Sequence, residues 1–203
     1  MTLQNGLVHG QKAYLWCDSA FFDGQTSELL GMDAKGFTGL YWPFAGVLSS
    51  IGGNPQEIAV DIGNSWPTDV PSLLTSATEA LRRYAAKGYI ARILLATFEE
   101  RPQLWLIGTD DCAGEGAFVA GELLYYSNAG QGLPELKEAE AKGMNPNRMR
   151  RLIDAQLQAE VTMTGSYGES GGLVQYGGNI VEFTVSRSGV DSKVLCSVEA
   201  KAA

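Results

Sequence analysis

The sequence predicts an α+β domain, because its strand-like and helix-like segments occur in runs rather than in strict alternation. The predicted order is strands, one helix, strands, two helices and strands. That order fits a four-layer αββα sandwich, in which two stacked, mainly antiparallel sheets are flanked by helices, and it also fits a simpler α+β domain. The 203 residues are 45% hydrophobic and show no repeat or linker, so we expect a single domain over residues 1–203.

The chain opens with a predicted β-hairpin. Residues 2–8 and 13–18 are two runs suited to paired strands, and Gly10 lies in the turn that joins them. Because a hairpin brings its two open ends together, Thr2 and Asp18 are predicted to lie close in space. A hydroxyl near the start of the chain would then stand beside a carboxylate.

The next fifty residues contain weaker signals. Residues 19–34 are predicted to form a loop or a hairpin connection, and residues 35–42 a strand. Pro43 interrupts this strand, which resumes over residues 44–48. Between two stretches rich in Gly, Asn and Pro, only residues 57–62 are strand-like, and no long helix is predicted there.

The first strongly periodic segment predicts a helix over residues 70–87. Thr68 or Asp69 can cap its start, Pro71 is tolerated in its first turn, and Gly88 ends it. Its apolar stripe consists of Leu73, Leu74, Ala77, Leu81, Tyr84 and Ala85.

The remainder of the chain alternates between short strands and two helices. Strands are predicted over residues 90–98, 104–108, 118–126, 173–176, 179–187 and 193–199, and helices over residues 133–142 and 145–161.

Charge and cysteine usage exclude several functional classes. The formal net charge is −8 and no basic block is present, so neither nucleic acid nor an anionic membrane surface is an expected partner. The three cysteines, Cys17, Cys112 and Cys196, have no paired spacing, which favours reduced thiols in a cytoplasmic protein. No signal peptide and no apolar run long enough to span a membrane is evident.

Metal and cofactor motifs are not found in the sequence. His9 is the only histidine, and no His/Cys cluster has the spacing of metal ligands. The glycine-rich stretch 164–172 lacks the Gly-Lys-Ser/Thr ending of a phosphate-binding loop. The sequence therefore predicts neither a metal nor a cofactor.

The opening of the chain resembles the N-terminal-nucleophile hydrolases, specifically the proteasome β-type branch. Members of that branch have a Thr at the start of the first strand and an Asp sixteen residues later, and Thr2 and Asp18 keep this spacing. Lys35 follows seventeen residues after Asp18, close to the family's spacing of about fifteen. Ala45 and Gly46 resemble the family's Ala-Gly pair, so the match is carried by residues 2–46.

The resemblance implies an amide-bond hydrolase acting on a peptide or a small amide. Removal of Met1 would leave Thr2 with a free α-amine that takes the proton of its own hydroxyl, so that one residue is nucleophile and base. Asp18 would orient Lys35, whose positive charge would favour deprotonation of Thr2. The Gly46 amide would bind the oxyanion. The family also implies a homo-oligomer.

Two serines complete the site that the resemblance implies. Ser127 follows a predicted strand at the place of a family serine that positions the amine, and Ser170 resembles a second such serine. The family has an Asp three residues before that second serine, where this chain has Tyr167. This departure keeps open an inactive structural or binding subunit with the same fold, and an unrelated α+β binding domain is a third interpretation.

Overall fold

The computed structural model describes residues 3–22, 29–128, 132–158 and 176–198. Within these ranges the chain is α+β, as predicted. The strands are β1 (Gln4–His9), β2 (Lys12–Cys17), β3 (Ala20–Phe22), β4 (Leu29–Met32), β5 (Gly36–Thr38), β6 (Phe44–Ile51), β7 (Ile90–Phe98), β8 (Pro102–Gly108), β9 (Gly121–Leu123), β10 (Tyr125–Ser127), β11 (Gly178–Ser186) and β12 (Gly189–Val198). The helices are α1 (Gln56–Asn64), α2 (Val70–Ala85), α3 (Pro134–Lys142) and α4 (Pro146–Gln158).

The strands form two five-stranded antiparallel sheets and one small hairpin. The first sheet has the order β10-β1-β2-β11-β12, the second sheet has the order β5-β6-β7-β8-β9, and β3 pairs with β4. The predicted opening hairpin is confirmed, since Gln4 lies opposite Cys17 and His9 lies opposite Lys12. The open end of this hairpin is therefore where β1 begins and β2 ends.

The two large sheets contribute side chains to one apolar cluster. Its buried members are Ala13, Leu15, Cys17, Phe183 and Val185 of the first sheet and Ala45, Val47, Leu94, Ala96, Phe98, Leu104 and Leu106 of the second. At Gly6 in β1, a Cβ atom would come within 2.7 Å of the Leu94 side chain and 2.8 Å of the Leu104 side chain. A glycine is needed at this position because the side chains of the second sheet approach the β1 backbone so closely.

Each large sheet also contacts one pair of helices. Leu136 of α3 and Met149, Leu152 and Ile153 of α4 are buried with Leu3, Leu7, Trp16 and Ile180 of the first sheet and its start. Ile58 and Ile62 of α1 and Leu73, Ala77 and Leu81 of α2 are buried with Leu48, Ile93, Leu95 and Ile107 of the second sheet. Apolar side chains of each sheet therefore contact helices as well as the other sheet.

The predicted helix over residues 70–87 is confirmed as α2. Asp69 caps it, because the carboxylate accepts a hydrogen bond of 2.8 Å from the Ser72 amide, and the Ser72 hydroxyl lies 3.3 Å from the Asp69 amide. This reciprocal arrangement is a capping box.

Three strand predictions need correction. The segment 57–62 is helical in α1, where Ile58 and Ile62 are buried four residues apart on one face. The predicted strand 118–126 is two three-residue strands, β9 and β10, that belong to different sheets and are joined through Leu124. Of the predicted strand 35–42, only Gly36–Thr38 is extended and paired.

Candidate active site

The ends of four strands lie side by side at one end of the first sheet. Neighbouring strands run antiparallel, so β1 and β11 begin at the same end of the sheet at which β2 and β10 finish. The Asn128 amide donates to the Gln4 carbonyl at 3.0 Å, and the Ser19 amide donates to the Gly177 carbonyl at 3.3 Å. These bonds continue the backbone pairing past the ends of β10 and β2, next to Asp18.

Asp18 is fully buried directly after β2. Its Oδ1 accepts a hydrogen bond of 2.9 Å from the Leu3 amide, and its Oδ2 accepts one of 3.2 Å from the Gly177 amide. The Lys35 ammonium lies 2.9 Å from each of the two oxygens. Three donors, the two backbone amides and the Lys35 ammonium, therefore hold the Asp18 carboxylate in one orientation.

Lys35 reaches the carboxylate from the second sheet. Its carbonyl accepts from the Leu48 amide of β6 at 2.9 Å, one residue before β5 begins. Its ammonium also lies 5.1 Å from the centre of the Phe21 ring, a distance typical of a cation–π contact. Because both members of this ion pair are at most 2% exposed, the charges join the two sheets in a site without bulk water.

Two further titratable groups feel the charge of this pair. Burial raises the pKa of the Cys17 thiol to about 12, the negative charge of Asp18 acts in the same direction, and Lys35 opposes them. Burial likewise raises the pKa of the Tyr176 phenol to about 12, with a further contribution from Asp18. At neutral pH Cys17 is therefore a protonated thiol, which is a poor nucleophile.

Ser127 lies in a second polar cluster, on the other side of β1. It stands opposite Asn5 in the β1–β10 pairing and is buried. Its hydroxyl accepts a hydrogen bond of 2.8 Å from the Gln156 side chain of α4, and the Asn5 side chain donates to Gln156 at 3.0 Å. Next to it, the Asn128 side chain accepts from the Gln4 amide at 2.9 Å. The cluster fixes Ser127 and the start of β1 relative to α4.

The side chains of Asn5, Asn128 and Gln156 were not among the predicted site residues. Gln156 stands within the apolar stripe of its helix, and a fully buried amide in such a stripe needs hydrogen-bond partners. That placement is the one signal in the sequence that could have drawn attention to it.

Gly46 lies within the second sheet, in the middle of β6. The bonds from the Leu48 amide to Lys35 and from the Gly39 amide to Phe44 mark hydrogen-bonded pairs of the β5–β6 ladder. These pairs alternate along an antiparallel ladder, so Gly46 and its partner Phe37 form the hydrogen-bonded pair between them. The Gly46 amide is thus directed at the Phe37 carbonyl, and a Cβ atom at Gly46 would collide with the Phe37 ring.

Gln4 connects the start of β1 with the second sheet. Its side-chain nitrogen donates to the Val47 carbonyl at 2.8 Å and lies 3.5 Å from the Arg92 carbonyl. Its buried side-chain oxygen has no hydrogen-bond partner among the described residues. Gln4 therefore holds the two sheets together two residues after Thr2.

The structure thus brings Asp18 and Lys35 into direct contact and places Ser127 in a neighbouring network. Leu48 marks the place where Lys35 joins β6, because its amide donates to the Lys35 carbonyl. Gly46 lies two residues along β6 from Leu48, which is about 7 Å at the usual rise of a strand. Thr2 and Ser170 lie outside the described residues, as does Tyr167.

Within the described ranges, no group of three or more His, Cys, Asp or Glu side chains is arranged to hold a metal ion. Nor is any helix of those ranges both long and apolar enough to cross a bilayer.

A scan against protein-family models finds no match for this chain. A search of curated proteins finds no similar sequence. The interpretation of the site therefore depends on its own residues.

Proposed function

We propose that the protein has the N-terminal-nucleophile hydrolase fold, a four-layer αββα sandwich, and that it hydrolyses amide bonds with Thr2 as nucleophile. The apolar cluster shared by the two large sheets and the helices packed against each sheet support this arrangement of layers. Its substrate would be a peptide or a small amide, the resemblance implies a homo-oligomer, and the cysteine usage favours a cytoplasmic location.

One observation carries the proposal: the buried Asp18–Lys35 pair adjoins the start of β1. The Leu3 amide donates to Asp18, and the carbonyl carbon of Thr2 is covalently bonded to that same nitrogen. Consecutive Cα atoms are about 3.8 Å apart. The described pair thus lies beside Leu3, the residue that follows Thr2 in the chain, and this supports a role for the buried cation in activating Thr2.

The chemistry would proceed in two steps. After removal of Met1, the Thr2 α-amine takes the proton of the Thr2 hydroxyl as its oxygen attacks the amide carbonyl. The ammonium so formed returns the proton to the departing nitrogen, the C–N bond breaks, and an acyl ester of Thr2 remains. Water then adds to the ester, releases the carboxylic acid and restores the hydroxyl.

Each neighbouring residue would have a distinct role. The positive charge of Lys35 stabilises negative charge that develops on the Thr2 oxygen, and Asp18 keeps the ammonium in position. Ser127 and Ser170 would orient the α-amine. The resemblance gives the oxyanion to the Gly46 amide, and donation to it would require the ladder bond from this amide to the Phe37 carbonyl to open.

The test combines mass and covalent labelling. Protein isolated from its own host is expected to lack Met1 and to react at Thr2 with an electrophile that captures N-terminal threonine, as located by peptide mapping. Thr2→Ser should keep the label and Thr2→Ala should lose it.

A matched pair of lysine variants tests the role of the buried cation. Lys35→Met is expected to slow labelling by about a hundredfold, the usual effect of removing a positioned electrostatic group. Lys12→Met, which removes an exposed lysine, should label at the unchanged rate. Intact mass that includes Met1, together with no labelling of the native protein, would contradict the proposal.

The second candidate function is a catalytically inactive structural or binding subunit of the same fold. Two observations favour it: Tyr167 stands where the resemblance expects an Asp, and the register engages the Gly46 amide within the sheet. Retained Met1 and an unlabelled Thr2 in native material would select this function over hydrolysis.

A further inference from the structure

Strand β12 forms one edge of the first sheet. It is ten residues long, and it pairs with β11 on one side, while no other described strand pairs with its opposite side. Most of its side chains are exposed, including Val194 at 57%. Long exposed edges present a row of backbone donors and acceptors to any other strand that approaches.

The turn between β11 and β12 determines which backbone groups of β12 point away from β11 and are available to another strand. Ser186 pairs with Gly189 across a two-residue turn, so these two residues form a hydrogen-bonded pair. Hydrogen-bonded pairs recur at every second residue of an antiparallel ladder, so Asp191 and Lys193 also direct their backbone groups at β11. Consequently the N–H and C=O groups of Val190, Ser192 and Val194 are directed away from the sheet.

The charges along β12 complement themselves in one antiparallel register. When two copies pair with Ser192 opposite Ser192, Asp191 of each copy lies opposite Lys193 of the other. Centring the pair on Asp191 would place two carboxylates opposite each other, and centring it on Lys193 would oppose two ammonium groups. Like charges directly opposite in a sheet are destabilising, so of these three registers the one centred on Ser192 is favoured.

This register also agrees with the backbone groups that are available. It makes hydrogen-bonded pairs of Ser192 with Ser192 and of Val190 with Val194, which are the residues whose backbone groups face outward. Asp191 and Lys193 fall in the non-hydrogen-bonded pairs, where opposing Cα atoms come closest, at about 4.5 Å. Of the three registers compared, the one centred on Ser192 therefore satisfies both the direction of the backbone groups and the pairing of the charges.

We propose that two copies of this chain associate through β12, antiparallel and centred on Ser192, so that the two first sheets become one continuous sheet. Apolar contacts between Val190 and Val194 form on the face that carries Phe183, and the two ion pairs form on the face that carries Glu182. The ladder shifts at Leu195, where β12 has one extra residue, and this bulge ends the regular pairing. Because the paired stretch is short, we expect the dimer to be weak and to dissociate on dilution.

Sedimentation analysis over a dilution series tests the association. The wild-type chain should shift from dimer to monomer on dilution, and Asp191→Lys should raise the dissociation constant by about tenfold, since it turns both ion pairs into repulsive contacts. Asp191→Asn should have a smaller effect in the same direction. Glu100→Lys makes the same charge change in an exposed turn and should leave the dissociation constant unchanged.

Hydrogen exchange tests the register. The amides of Val190, Ser192 and Val194 should gain protection as the protein concentration rises, whereas those of Asp191 and Lys193, already bonded to β11, should not change. In a Cys196→Ser background, Ser192→Cys should oxidise to a linked dimer and Ser197→Cys should not. A chain that sediments as a monomer at every concentration, or a dimer indifferent to Asp191→Lys, would overturn the proposal.

Discussion

The first sheet carries two buried carboxylates that are neutralised in different ways. Asp18 is paired with Lys35, and the two side chains are 0% and 2% exposed. Glu182, in β11, is 2% exposed, but its partners Arg150 and Lys193 are 40% and 57% exposed. In the first pair both ions have lost their water, whereas at Glu182 only the carboxylate has.

This difference separates a structural anchor from a candidate functional group. Glu182 accepts from the Trp16 indole at 2.8 Å and from the Arg150 guanidinium at 2.7 Å, and so attaches α4 to β2 and β11. Its cations keep contact with solvent, which lowers the desolvation penalty. A fully buried pair carries the desolvation penalty of two ions and is weak support for stability by itself, which makes the Asp18–Lys35 pair a candidate functional group.

The largest expected effect follows from breaking the fully buried pair. Asp18→Asn leaves the Lys35 ammonium buried without a counter-charge, and the free energy of unfolding should fall by about 3–5 kcal/mol in denaturant titrations. The double variant Asp18→Asn/Lys35→Met removes both charges and should recover part of that loss. A loss for Asp18→Asn no larger than that for Glu182→Gln would contradict the comparison.

Glu182→Gln is expected to have a smaller effect, about 1–2 kcal/mol on the same scale. The glutamine oxygen still accepts from the Trp16 indole, and Arg150 and Lys193 can return to water. The measurement is again unfolding in denaturant, with Glu122→Gln, an acid on the second sheet paired with the exposed Arg101, as control. If Glu182→Gln and Glu122→Gln lowered the free energy of unfolding equally, burial of Glu182 would contribute nothing to stability.

The stability contributed by Glu182 should also depend on pH. Burial, the largest single influence, acts to raise the pKa of this carboxyl, but the hydrogen bonds from Lys193, Arg150 and Trp16 together lower it below its ordinary value of 4.5. A lowered folded-state pKa gives stability that is complete above 4.5 and is lost as the pH falls through the folded-state value. The difference between wild type and Glu182→Gln should therefore shrink in acid, and a difference that grew on acidification would contradict this assignment.

The smallest effect is expected from the exposed cations of the Glu182 cluster. Lys193→Met should lower the free energy of unfolding by less than about 1 kcal/mol, because exposed partners are screened and Arg150 continues to neutralise the carboxylate. Added salt should reduce the difference between this variant and wild type. A loss comparable with that of Asp18→Asn would remove the distinction between the two sites.

Local patterns in the sequence were sufficient for some elements and misleading for others. The opening hairpin and α2 were predicted because a glycine turn, a capping Asp and an apolar stripe all lie within the segment concerned. α1 was mistaken for a strand because nine residues are too few for periodicity to separate the two structures. The split between β9 and β10 depends on which sheet each half joins, and no local pattern contains that information.

The candidate site divides in the same way. Asp18 and Lys35 were proposed from the resemblance to a family, and the structure places their charged groups 2.9 Å apart. The Asn5–Gln156–Ser127 network joins residues up to 151 positions apart in the chain, and the direction of the Gly46 amide depends on strand register. Neither could be predicted from residue types and their spacing.

By itself, the sequence determined the α+β class and most of the segments that form helices and strands, because these follow from turn residues and periodicity over short distances. Only the tertiary structure decided that both charges of the Asp18–Lys35 pair are buried, which strand ends surround them and which edge of the sheet is exposed. Those properties arise when segments far apart in the chain pack together and exclude water, and the strength of a charge interaction depends on that exclusion.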